Sequence, residues 1–99
     1  MRIRLHVVID QESETLEAEI KKQLLEKCPA LSFSPSRPQP SLKGCLEFYG
    51  TAELDSKQID SLLAKLNNDW DQDEDDYEAY GFNTLMFHPH VYYLHFQIL

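Results

Sequence analysis

The chain has 99 residues, 42% of them hydrophobic and 11% aromatic, with a formal net charge of −8. That size and apolar content exclude a disordered acidic tail and suit a single domain over residues 1–99. The charge argues against direct binding of nucleic acid or of an anionic membrane surface, and no apolar run approaches the ~20 residues of a bilayer span.

Ile3, Leu5, Val7 and Ile9 alternate with Arg2, Arg4, His6 and Val8, a period of two that predicts a strand with one buried face. No apolar leader precedes it, so a cytoplasmic location is expected, with Cys28 and Cys45 as reduced thiols. Leu16, Ile20, Leu24 and Cys28 follow at spacings of four and predict a helix, with Asp10 or Ser13 as its N-cap and Pro29 as its stop. Leu31 and Phe33 open a short extended piece. The proline-rich SPSRPQPSLK, from Ser34 to Lys43, then reads as a connection or an edge segment.

Leu46 to Ala52 reads as a second strand. Asp55 and Gln58 have the spacing of a capping box at the start of a helix. Ile59, Leu62, Leu63, Leu66 and Trp70 extend that helix as an apolar stripe, which Asn67-Asn68 end or fray. Acids from Asp73 onward and a Gly at position 81 suggest a further short helix from Asp73 to Tyr80, with Gly81 at its C′ position. A turn at Pro89-His90 and the segment VYYLHFQIL close the chain as a strand, or as a hairpin if it splits. The expected fold is α+β: a two-layer sandwich with two helices on one face of an antiparallel sheet, in a ferredoxin-like β-α-β-β-α-β order. Arg2, Arg4, His6, Glu47, Tyr49, Tyr93 and His95 would then lie on the open face.

Charge is the most specific feature. Seven of the ten residues from Asp69 to Glu78 are acidic, so this segment carries −7 of the net −8. Three readings compete. Charge blocks commonly do no more than keep a surface solvated. Asp69, Asp71, Asp73 and Asp75 repeat every second residue, as calcium ligands do, but an EF-hand loop needs Gly at its sixth position and Glu at its twelfth. Counting from Asp69 places Glu74 and Tyr80 there, and counting from Asp71 places Asp76 and Phe82. Both registers fail. The third reading is an interface, in which Trp70, Tyr77 and Tyr80 anchor a partner while the carboxylates pair with its Lys and Arg.

Other constellations are weaker. His88 and His90 supply two of the three or four ligands that zinc requires, and Pro89 between them favours a polar turn. The segment KGCLEFYG starts like the signature of an RNA-recognition domain, then places Cys45 and Glu47 where aromatics should stack on bases. With three glycines and no nucleophile in a recognised setting, neither a phosphate loop nor an enzyme is expected, and no cofactor is expected.

In size, acidity and the segment NDWDQDEDDYEAYGF, the chain resembles small bacterial toxin-immunity proteins of the contact-dependent growth inhibition type. The resemblance is one of type and rests on no shared signature motif. It implies inhibition of a cognate basic toxin domain, typically a nuclease. The candidate partner-binding residues are Asp69, Trp70, Asp71, Asp73, Glu74, Asp75, Asp76, Tyr77, Glu78 and Tyr80. The alternative is a DNA-mimic or regulatory module that binds a nucleic-acid-binding protein. Oligomeric state is left open.

Overall fold

We describe residues 1–66, 69–82 and 84–99 of a computed structural model of the chain. Strand β1 (Arg2–Ile9) leads into helix α1 (Glu14–Lys27), then into two short edge strands, β2 (Ser32–Phe33) and β3 (Arg37–Pro38). Strand β4 (Leu46–Glu53), helix α2 (Ser56–Leu66), strands β5 (Asp71–Asp73) and β6 (Asp76–Tyr80), and strand β7 (Val91–Ile98) complete the order. Among the described residues the strands form one antiparallel sheet in the order β2-β4-β1-β7-β6-β5, with β3 also paired to β4. The α+β class therefore holds, but the strand order differs from the expected one.

The alternation in β1 works as its period suggests. Ile3, Leu5, Val7 and Ile9 are fully buried, and their register partners on β7 include Phe96, Leu94 and Val91. Ile20 and Leu24 of α1, and Ile59, Leu62, Leu63 and Leu66 of α2, join those strand residues in one contiguous core, so both helices cover the same face. Ser13, not Asp10, caps α1: its Oγ accepts from the Leu16 N–H at 3.3 Å. At α2 the capping box closes in both directions. Asp55 Oδ1 accepts from the Gln58 N–H at 2.8 Å, and Gln58 Oε1 accepts from the Asp55 N–H at 2.9 Å.

Three expectations of local structure need correction. The stretch from Asp73 to Tyr80 is not a helix but the end of β5, the turn and β6 of a hairpin. Acidity suits a helix start, yet this segment has no apolar stripe at spacings of three and four, whereas Tyr77 and Ala79 alternate with Asp76, Glu78 and Tyr80. That alternation lays Tyr77 and Ala79 beside Phe96 and Leu94 of β7. Trp70 lies beyond α2 and does not extend its stripe; the expectation for Asn67-Asn68 falls outside the described residues. Of the two readings of the last segment the unsplit strand is the one found, with a register shift opposite Val8 and Ile9 that places Tyr92 out of the ladder with β1.

Gly81 is the third correction. It serves no helix; it lies just past β6, where its N–H donates to Tyr92 O at 2.7 Å. A Cβ there would stand 2.5 Å from the Val91 carbonyl oxygen, so the close approach of two backbones demands the missing side chain. Gly81→Ala is expected to cost about 1–2 kcal/mol and to separate the start of β7 from the end of β6. Urea denaturation checks this, and a variant as stable as the parent would contradict it.

Candidate protein-binding surface

The acidic run folds as the outer edge of the sheet. Asp71 pairs with Glu78, Gln72 with Tyr77, and Asp73 with Asp76. Glu74, in the two-residue turn, has φ +55°, a left-handed conformation that costs energy for a residue with a Cβ. Two cross-strand pairs thus set like charges directly opposite each other, which is unfavourable unless each carboxylate finds other partners.

The inner carboxylates do find them, all on or beside β7. Asp76 Oδ1 accepts from His95 Nε2 at 2.8 Å and from Gln97 Nε2 at 3.1 Å, and these bonds, His95's foremost, lower its pKa. Glu78 Oε2 accepts from Tyr93 Oη at 2.6 Å and from Tyr80 Oη at 3.2 Å. Burial first, then the Glu78 carboxylate beside them, raises the pKa of both phenols, so each stays a donor through the neutral range. The outer carboxylates of Asp71, Asp73, Glu74 and Asp75 are exposed along the free edge. Charge at a sheet edge also discourages strand-to-strand aggregation, which accounts for part of this acidity.

The aromatic residues divide as well. Trp70 donates its indole N–H to Leu63 O at 2.9 Å and meets Tyr77 edge-on, with ring centroids 6.3 Å apart. Tyr77 in turn packs edge-on against the buried Phe96 at 6.0 Å, and its hydroxyl takes a hydrogen bond from Gln72 Nε2 at 3.0 Å. Tyr77 therefore supports the hairpin from the core side, while Asp76 and Glu78 face the opposite, helix-free side with their partners on β7. Five of the expected residues do come together: Asp69, Trp70, Asp71, Glu78 and Tyr80, with Ala79, line a hollow of about 310 Å³. Three carboxylates and two aromatic rings around one hollow suit the cationic end of a Lys or Arg side chain.

One residue of this surface escaped the sequence reading. Phe82 is 73% exposed, unusual for a large apolar side chain; Leu85, 77% exposed, lines a separate hollow with Gly81, Met86 and His88. Phe82 lies 5.5 Å from the Tyr80 ring and 6.5 Å from the Tyr92 ring, and Tyr80 lies 5.2 Å from Tyr93. The aromatic series then crosses the helix-free face: Tyr93 to His6 at 5.9 Å, His6 stacked on Tyr49 at 4.5 Å, and the Arg4 guanidinium 5.6 Å above Tyr49. The only signal for Phe82 in the sequence is an apolar residue inside a turn-rich stretch, GFNTL, which periodicity cannot place.

The same face holds a buried carboxylate. Glu47 is 2% exposed, and its oxygens accept from Arg37 Nε at 2.6 Å, His6 Nε2 at 2.8 Å and Gln39 Nε2 at 3.3 Å. The histidines of the turn are engaged too: His88 Nδ1 accepts from the His90 N–H at 3.1 Å, and His90 Nδ1 lies 2.9 Å from Asp10 Oδ1. Among the described residues, no three His, Cys, Asp or Glu side chains converge as metal ligands. Both cysteines are free and buried, and burial raises the Cys45 thiol above its ordinary value, with Asp10 and Glu12 adding to the effect.

No helix among the described residues is long and apolar enough to cross a membrane. Compared with known proteins, the chain matches no family model, no curated protein and no solved structure.

Proposed function

We propose that this chain is an inhibitory binding protein of the toxin-immunity type, which seats a basic protein partner on the β5–β6 edge. One observation carries the reading: Asp69, Asp71 and Glu78 surround a hollow with Trp70 and Tyr80, and the exposed Phe82 lies against Tyr80. Interfaces draw most of their energy from a few aromatic or apolar anchors, and complementary charge speeds encounter and fixes register. Phe82 and Tyr80 are the anchors in this reading, and the exposed carboxylates of the hairpin supply the steering field. A nuclease domain fits best as partner, because its phosphate-binding Lys and Arg would find carboxylates in place of phosphates. Such an inhibitor would act in the cytosol, without a cofactor and without catalysis.

The fold can be read in the same terms. If β2 and β3 are taken as one broken edge strand, then β1, α1, that strand, β4, α2 and β7 follow a ferredoxin-like path. The β5–β6 hairpin is then an addition at the β7 edge. The hairpin holds most of the net charge.

Asp71, Asp73 and Asp75 are the residues to test, since Asp76 is tied to His95 and Gln97. Changing all three to Asn is expected to slow association with a toxin domain encoded beside this protein by roughly tenfold at low salt and to flatten its salt dependence. Phe82→Ser should act instead on the dissociation rate. Surface-immobilised kinetics at two ionic strengths decide the matter: an unchanged on-rate in the triple variant removes the steering role.

A further inference from the structure

A second hollow, of about 260 Å³, lies between the C-terminal end of α1 and the exposed side of α2, and its character is opposite to the first. Its floor is apolar, formed by the buried Cys28, Leu54 and Leu62. Its rim carries Lys27, Lys57 and Lys65. No Asp or Glu lines it. Half of the six lysines of a chain with net charge −8 thus converge on one small concavity.

The spacing explains the convergence. Lys57, Ser61 and Lys65 recur every fourth residue, so α2 presents them in one row, with Gln58 and Leu62 in the row beside it. Neither Lys57 nor Lys65 makes an ion pair with any described residue. Lys27 is held differently, with its ammonium 5.5 Å from the centre of the Phe87 ring. Cations gathered around a low-dielectric floor repel one another and focus a positive potential into the hollow.

We infer that this hollow binds a small organic anion with an aliphatic body. Its carboxylate would meet Lys57 and Lys65, and its chain would lie over Leu54, Leu62 and Cys28. A bare inorganic anion would leave the apolar floor wet, and a neutral alcohol would leave the two lysines unpaired. The volume lies just under the range usual for drug-sized ligands, which sets the limit at a short chain. The site is independent of the acidic edge.

The test is an amide-resolved NMR titration of the intact protein with sodium octanoate, and in separate arms with n-octanol and with inorganic phosphate. Saturable shifts at Ala30, Leu54, Ser61 and Leu62 are expected with octanoate at millimolar concentration, and at least tenfold weaker effects with octanol and phosphate. In the Lys57→Gln/Lys65→Gln double variant, octanoate affinity should fall about tenfold while the amide spectrum keeps its dispersion. Both sites are exposed, so the variant tests charge and not folding. Octanol binding as well as octanoate, a double variant binding octanoate like the parent, phosphate matching octanoate, or no saturable shift would each overturn the inference.

Discussion

Phe96→Ala is expected to destabilise the protein by about 3–5 kcal/mol, enough to consume much of the stability of a domain this size. Phe96 is fully buried in β7, opposite Leu5 of β1 on one side and Tyr77 of β6 on the other. Truncation removes its transfer energy and leaves a cavity that the paired strands cannot readily close. The loss has a direction as well as a size. Tyr77 rests on Phe96, and Trp70 rests on Tyr77, so the cavity opens beneath the hairpin that carries the acidic edge. Urea unfolding should show a lower midpoint with an unchanged slope, and amide exchange should accelerate most in β5 and β6. A loss below about 1 kcal/mol would mean that the hairpin does not depend on this ring.

Glu47→Ala should cost about 2–3 kcal/mol, an effect of polar origin. The carboxylate is buried, and charge-assisted hydrogen bonds from His6, Arg37 and Gln39 saturate its oxygens. Burial by itself would raise its pKa, but the bonds from His6 and Arg37 outweigh burial and lower it. Because the folded state favours the ionised form, the contribution is complete above the ordinary value of 4.5 and fades as pH falls below it toward the lowered value. The stability gap between parent and variant should therefore be constant near neutrality and narrow in acid. Glu47→Gln, which keeps the shape and loses the charge, should fall between the two. A gap that stays constant from about pH 7 down to pH 3 would rule out the ionised carboxylate as its source.

Where local pattern and tertiary packing agree, the fold is legible in the residues. The alternation of Ile3, Leu5, Val7 and Ile9 identifies both β1 and its buried face, and the Asp55–Gln58 pair marks the start of α2 to the residue. The placement of His6, Tyr49, Tyr93 and His95 away from the helices also follows from the pattern alone. The hairpin is harder to see. Its β pattern rests on Tyr77 and Ala79 alone, and its charge density suits a helix start equally well. What selects the strand is Phe96 and Leu94, some fifteen to twenty residues further on, which offer those two side chains an apolar shelf. Trp70 continues the α2 spacing, but α2 ends at Leu66 and Trp70 instead donates its indole N–H back to Leu63 O. Gly81 likewise owes its identity to a carbonyl ten residues away.

The position of Trp70 has an optical consequence. It is the only tryptophan in the chain, half-buried, and tethered through its indole N–H to the α2 backbone while its ring borders the acidic hollow. Indole emission moves with local polarity and is sensitive to charges placed near the ring. A cationic side chain entering the hollow would thus alter the fluorescence of the native protein directly, without a label. Melting of the hairpin would shift the same emission toward that of a solvated indole, so binding of the proposed partner and loss of the hairpin can be followed through a single chromophore.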